Sequence, residues 1–165
     1  MTPTPSDITR FALHCHDGVA LRAEQLNPSN PARGAVVLCH PHPLHGGNMY
    51  SHVVGGLFTS LPAQGLTTLR FNFRGTSGSE GRHDGGRAER LDVQAAIEHL
   101  VGTSEAPGRP VVVIGYSFGA LVGLSVDDPA VAVWVAIAPP LTMASPDRLE
   151  AAATTDKPKH LLVGS

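Results

Sequence analysis

The chain carries little charge and no long apolar run. Of its 165 residues 16% are Asp, Glu, Lys or Arg, and the formal net charge is -2. That balance supplies no basic surface for nucleic acid or an anionic membrane. No apolar stretch approaches the roughly 20 residues that span a bilayer. Met1 to Asp7 holds neither a basic segment nor an apolar core, so no secretory leader is expected. The two cysteines, Cys15 and Cys39, fall in different predicted strands. Little argues for a disulfide, and two free thiols in a cytoplasmic protein are expected. What is present is 42% hydrophobic, which suits a globular core and argues against disorder. The length predicts one domain over residues 1–165.

Turn signals and apolar periodicity divide the chain. Ile8 to His16 and Val19 to Leu26 flank Asp17-Gly18 and predict an antiparallel hairpin. After the loop Asn27 to Pro31, short apolar runs alternate with helical spacing. Strands are predicted at Ala35–Cys39, Thr67–Phe73, Val111–Ile114, Val131–Ala138 and His160–Val163. Helices are predicted over 48–61, 86–101, 118–126 and 147–154. This alternation implies a mostly parallel sheet with helices on both faces. An active site would lie beyond the carboxyl ends of the strands. About twenty residues separate Ala138 from His160, so an inserted lid is not expected.

The most informative stretch is Gly115-Tyr116-Ser117-Phe118-Gly119, between the run Val111 to Ile114 and the small-residue helix start Ala120-Leu121-Val122-Gly123. Strand, Gly-x-Ser-x-Gly, helix is the pattern of a nucleophile elbow, in which a strained turn lifts a serine hydroxyl into the site. The glycines leave room for a turn that side chains would block. The alternative is a tight turn that happens to hold a serine.

His40-Pro41-His42-Pro43-Leu44-His45-Gly46-Gly47 follows the first parallel strand. Acyl transfer needs backbone N–H donors for the oxyanion. Phe118, next after the serine, supplies one. Pro41 and Pro43 have no N–H, which leaves His42 or Leu44 for the second, with His42 preferred. His40, His42 and His45 also raise a metal site as a rival, which is not favoured because the loop holds no cysteine or carboxylate. No cofactor is expected. His40, His45 and Arg74 are candidates either for substrate contact or for structuring the loops.

In Arg70-Phe71-Asn72-Phe73-Arg74-Gly75, alternation puts Arg70, Asn72 and Arg74 on one face and the phenylalanines on the other. The loop Thr76 to Gly81 lacks the Gly-Lys-Ser/Thr ending of a nucleotide-binding loop. Glu89 and Asp92 read as a solvated or capping pair.

Together, the segments His40 to Met49, Arg70 to Gly75, Gly115 to Ala120 and Ala138-Pro139-Pro140 resemble the small lidless α/β-hydrolase family, serine esterase-like or dienelactone hydrolase-like. The likeness covers about residues 8 to 165. It implies an α/β-hydrolase sheet, Ser117 as nucleophile, an oxyanion hole from the loop after the first parallel strand, and hydrolysis of a small ester, thioester or lactone.

The resemblance also implies an acid and then a histidine downstream of the serine. The one downstream histidine, His160, begins a strand at the far end of the sheet. Asp127 and Asp128 lie at that same end, and Asp147 is explained equally well by a helix start. The expectation is a chain lacking roughly 40 residues, with a final strand, a final helix, the acid and the base. The alternative function is a catalytically silent binding protein of the same fold. An apolar edge strand near 160–164 would invite homo-oligomers.

Overall fold

The computed structural model describes residues 7–103 and 108–164. The leaderless reading of Met1 to Asp7 rests mainly on residues outside that range, and Ser165 is also outside it. Among the described residues no helix is long and apolar enough to cross a membrane.

The hairpin forms as expected. β1 (Thr9–His14) and β2 (Ala20–Leu26) pair antiparallel, and Gly18 turns the chain at φ 84, where a side chain would be strained. β2 runs antiparallel to β4 (Leu66–Phe71). The remaining pairs are parallel. β3 (Gly34–Cys39) lies between β4 and β5 (Val111–Tyr116), with β6 (Val131–Ile137) and β7 (Lys159–Leu162) beyond. The single sheet has the order β1-β2-β4-β3-β5-β6-β7. Parallel strands need cover on both faces. Here α1 (His52–Ser60) packs on one face, while α2 (Glu89–Thr103), α3 (Phe118–Leu124) and α4 (Pro146–Thr154) pack on the other.

Strand β3 is buried along its whole length. Val36 and Leu38 meet Val54 and Phe58 of α1, whereas Val37 and Cys39 face the cluster that holds Val93 and Ile97 of α2. Period-two alternation thus feeds both cores from one strand. Each such side chain contributes about 1.5–3 kcal/mol on burial.

Three expectations need correction. α1 begins at His52 rather than near 48. Asn48 to Ser51 closes a turn, with the Ser51 N–H on the Asn48 carbonyl at 2.9 Å, and the fully buried Met49 is pinned by its N–H to Asn72 Oδ1 at 2.8 Å. Second, Arg70 and Arg74 do not share a face. Arg70 points to α1, bonding the Glu24 carboxylate at 2.6 Å and lying 4.0 Å over the Phe58 ring. β4 ends at Phe71, strand alternation ends with it, and the turned chain sends Arg74 to Asp92 of α2 at 2.7 and 2.8 Å. Third, Glu89 and Asp92 are fully buried, not solvated. Arg74 neutralises Asp92, and burying either charge alone costs several kcal/mol.

Candidate active site

Ser117 stands between the end of β5 and the start of α3 with φ 54 and ψ -118. Among the described residues only Ser77 and Ala138 are other non-glycines at positive φ. Such backbone costs about 1–3 kcal/mol and persists only where its surroundings force it. The Ser117 N–H bonds the Ile137 carbonyl at 2.8 Å, and the Ser117 carbonyl accepts from Ala120 at 3.0 Å. The flanking glycines are steric requirements. A Cβ at Gly115 would strike the backbone of Gly119 and Ala120, and one at Gly119 would strike the Cys39 and His40 carbonyls. The first turn of α3 therefore presses directly on the end of β3.

His40 is fully buried. Its Nδ1 is 2.7 Å from the Pro41 carbonyl, and its Nε2 accepts the Phe73 N–H at 3.0 Å. This pattern puts the proton on Nδ1. Burial holds the imidazole neutral by pushing its pKa down to about 4. His40 thereby fastens the loop to the chain leaving β4.

The next residues fold tightly. The His42 carbonyl accepts from the His45 and Gly47 N–H groups, both at 3.0 Å. The Leu44 N–H is spent on His42 Nδ1 at 3.3 Å. Of the two amides left open by the prolines, Leu44 is thus occupied. Gly47 is packed against the Pro41 carbonyl so closely that a Cβ has no room.

Ser117, His42 and His45 share a cavity of about 300 Å³ with Leu121, Met143 and Leu149. His42 stacks on His45 at 4.5 Å. Burial, and then the neighbouring His45 and His83, keep the His42 pKa below its ordinary value. Arg148 closes the rim by donating to the Gly85 carbonyl at 2.6 Å. A slightly larger cavity, about 340 Å³, lies beside Gly34 and Thr67. That is the amino-terminal end of the parallel strands, opposite to where such sheets bind ligands.

Of the remaining candidates, Phe118 opens α3 beneath the cavity, and as the first helical residue it has an N–H with no intrahelical partner. Arg74 is held by Asp92 and by Asp17 at 2.8 Å, a structuring role away from the cavity. His160 pairs with Val135 in the sheet, three residues below the level of Ala138. Asp147 lines a separate surface depression with Arg90 and Glu150. Among the described residues no group of three or more His, Cys, Asp or Glu side chains is disposed to hold a metal ion.

Sequence reasoning missed His83. It lies in the turn before α2, its ring 4.9 Å from that of His42 and 5.3 Å from that of Phe118. Glu89 stands 2.7 Å from its Nδ1 and also accepts the Asp84 and Gly86 N–H groups, both at 2.8 Å. The available signal was His83-Asp84-Gly85-Gly86 with a carboxylate three residues on.

Residues 36–162 match the alpha/beta hydrolase family. An uncharacterised protein of Rickettsia prowazekii is 37% identical over 121 residues, covering 72% of this chain and 49% of its own length. The chain thus spans about half the length of that relative. An alpha-beta serine hydrolase homologue from Coxiella burnetii has a TM-score of 0.80 at 30% identity, over 93% of this chain and 72% of its own. Two more distant structures share the fold. A serine hydrolase without lid from Xanthomonas campestris has a TM-score of 0.75 at 24% identity, over 97% and 84% of the two chains. The Pyrococcus furiosus esterase Pf2001 has a TM-score of 0.78 at 20% identity, over 98% and 74%.

Proposed function

The chain belongs to the alpha/beta hydrolase family, and from that premise we propose that it is the nucleophile-bearing part of a serine hydrolase acting on a small ester, thioester or lactone. One observation carries the reading. Ser117 is held at φ 54 between a strand end and a helix start, facing a cavity of about 300 Å³ at the carboxyl edge of the sheet. That volume is at the lower end of small-molecule sites, and its apolar wall suits a short acyl group.

In this reading the turn at 115–119 is a nucleophile elbow. Ser117 Oγ adds to the carbonyl carbon while a base takes its proton, and the oxyanion rests on the N–H groups of Phe118 and His42. Collapse breaks the bond to the leaving alkoxide or thiolate, which takes up that proton. Water then cleaves the acyl-serine by the reverse order of steps. The base and its orienting carboxylate are proposed to come from outside these 165 residues, since neither His160 nor Asp147 lines the cavity. Two buried free thiols, Cys15 and Cys39, are in keeping with a cytoplasmic setting. The edge strand β7 exposes about half of Leu161 and Leu162, which favours self-association of the isolated chain.

The test is covalent labelling and p-nitrophenyl ester turnover by the full-length protein. Ser117→Ala is expected to abolish both. Labelling that persists in that variant removes Ser117 from its role, and an unlabelled, inactive wild type would favour the silent binding protein.

A further inference from the structure

We propose that His83, held by Glu89, is a positioning residue that sets the His42 and Phe118 amides at their working separation. The inference rests on the reading of Ser117 as nucleophile and of those two amides as oxyanion donors. Three rings form a closed triangle. His42 is 4.9 Å from Phe118, His83 is 4.9 Å from His42, and His83 is 5.3 Å from Phe118. The two residues assigned the donors belong to different segments, one after β3 and one at the start of α3. The His83 ring touches both. It is a wedge that trims how His42 and Phe118 sit, where the contact of Gly119 with the Cys39 and His40 carbonyls already brings the two segments together.

Glu89 fixes the wedge. Its carboxylate is fully buried. Each oxygen takes one loop amide, from Asp84 and from Gly86, at 2.8 Å. Oε1 also stands 2.7 Å from His83 Nδ1, outside hydrogen-bond geometry, so the two groups are in close contact without a bond between them. On its other side His83 lines a second hollow of about 320 Å³ with Gly47 and Thr76, where no side chain fills the space behind it. Thr76 Oγ1, buried nearby, has no hydrogen-bond partner. With that space open, the Glu89 carboxylate, itself fixed by two loop amides, is a rigid polar group in contact with the imidazole.

Donors act on the transition state only if they are set before it forms. A loosened wedge therefore lowers kcat and leaves ground-state binding alone. The experiment compares full-length wild type, Ser117→Ala, His83→Ala, His83→Phe and Glu89→Gln. It reads kcat, KM and the affinity of a trifluoromethyl ketone, whose carbonyl carbon Ser117 Oγ attacks to give a bound tetrahedral adduct. His83→Ala is expected to lower kcat about 10–100-fold, to change KM less than about threefold, and to weaken the ketone by the same factor as kcat. His83→Phe, which restores a ring to the wedge, should recover most of the loss. A loss of folding alone would not produce that matched split or that rescue. Ser117→Ala inactive with His83→Ala near wild type in kcat and ketone affinity, or altered only in KM, overturns the positioning role and leaves the nucleophile in place. Turnover surviving in Ser117→Ala overturns both. If His83→Ala does not fold, Glu89→Gln is read in its place. The same split in smaller measure supports the proposal, and unchanged kcat and ketone affinity overturn it.

Discussion

Lowering the pH should weaken this fold through a buried residue outside the cavity lining. His40 is fully buried, bonded through both ring nitrogens, and kept neutral by burial with a pKa of about 4 against an ordinary 6.5. Between those two values the unfolded chain binds a proton that the native chain refuses. Stability from His40 is therefore complete above about pH 7 and falls as the pH drops toward 4. At about 1.4 kcal/mol per unit of difference, the loss is about 2 kcal/mol by pH 5 and about 3 kcal/mol in full. The assay is urea unfolding followed by the fluorescence of Trp134, the single tryptophan, which is 1% exposed in β6. Wild type and His40→Gln are compared from pH 7.5 to 4.5. The variant is less stable throughout, because it breaks a fitted contact, but its pH slope should be shallower by the stated amount. His42 and His99 are also lowered by burial, while His16 is raised by Glu98. The difference between the two curves removes their shared contributions. Parallel curves over that range would refute the reasoning.

Four further outcomes are expected. Ser117→Gly should abolish covalent labelling yet stabilise the fold by about 1 kcal/mol, because glycine relieves the positive φ; thermal denaturation reads the gain. Gly119→Ala should destabilise by roughly 2 kcal/mol or more, since its methyl strikes the Cys39 and His40 carbonyls, and an unchanged urea midpoint would contradict the contact. Asp92→Asn should cost about 3 kcal/mol or less, because the buried Arg74 guanidinium keeps only the partly exposed Asp17 as its anion, again read by urea. Leu162→Lys should reduce concentration-dependent association of the 165-residue chain in size-exclusion chromatography, and association unaffected by the charge would locate the contact elsewhere.

The sheet was legible because its signals are local. Asp17-Gly18 gave the hairpin, and the apolar runs at 35–39, 111–114 and 131–138 gave buried strands with boundaries a residue or two from those found. Ser117 was legible because strand, two glycines and small-residue helix all converge on one turn. What escaped were contacts made at a distance. Arg74 was placed by extending strand alternation three residues past the true end of β4 at Phe71. Glu89 and Asp92 looked like surface charges because their partners, His83 and Arg74, are set by how the chain leaves β4 rather than by helical spacing. His83 itself sits in a glycine-rich turn with no periodicity to announce it. Also invisible in the spacing is the bond that occupies one of the two amides left open by the prolines, the Leu44 N–H on His42 Nδ1.

Gly119 lies on the carbonyls of Cys39 and His40 with no side chain between. The serine and the histidine-rich loop are thus registered main chain to main chain. Leu121, Met143 and Leu149 on the cavity wall take no part in that registration. Substitutions there would reshape the cavity while leaving the main-chain contact that stations Ser117 undisturbed.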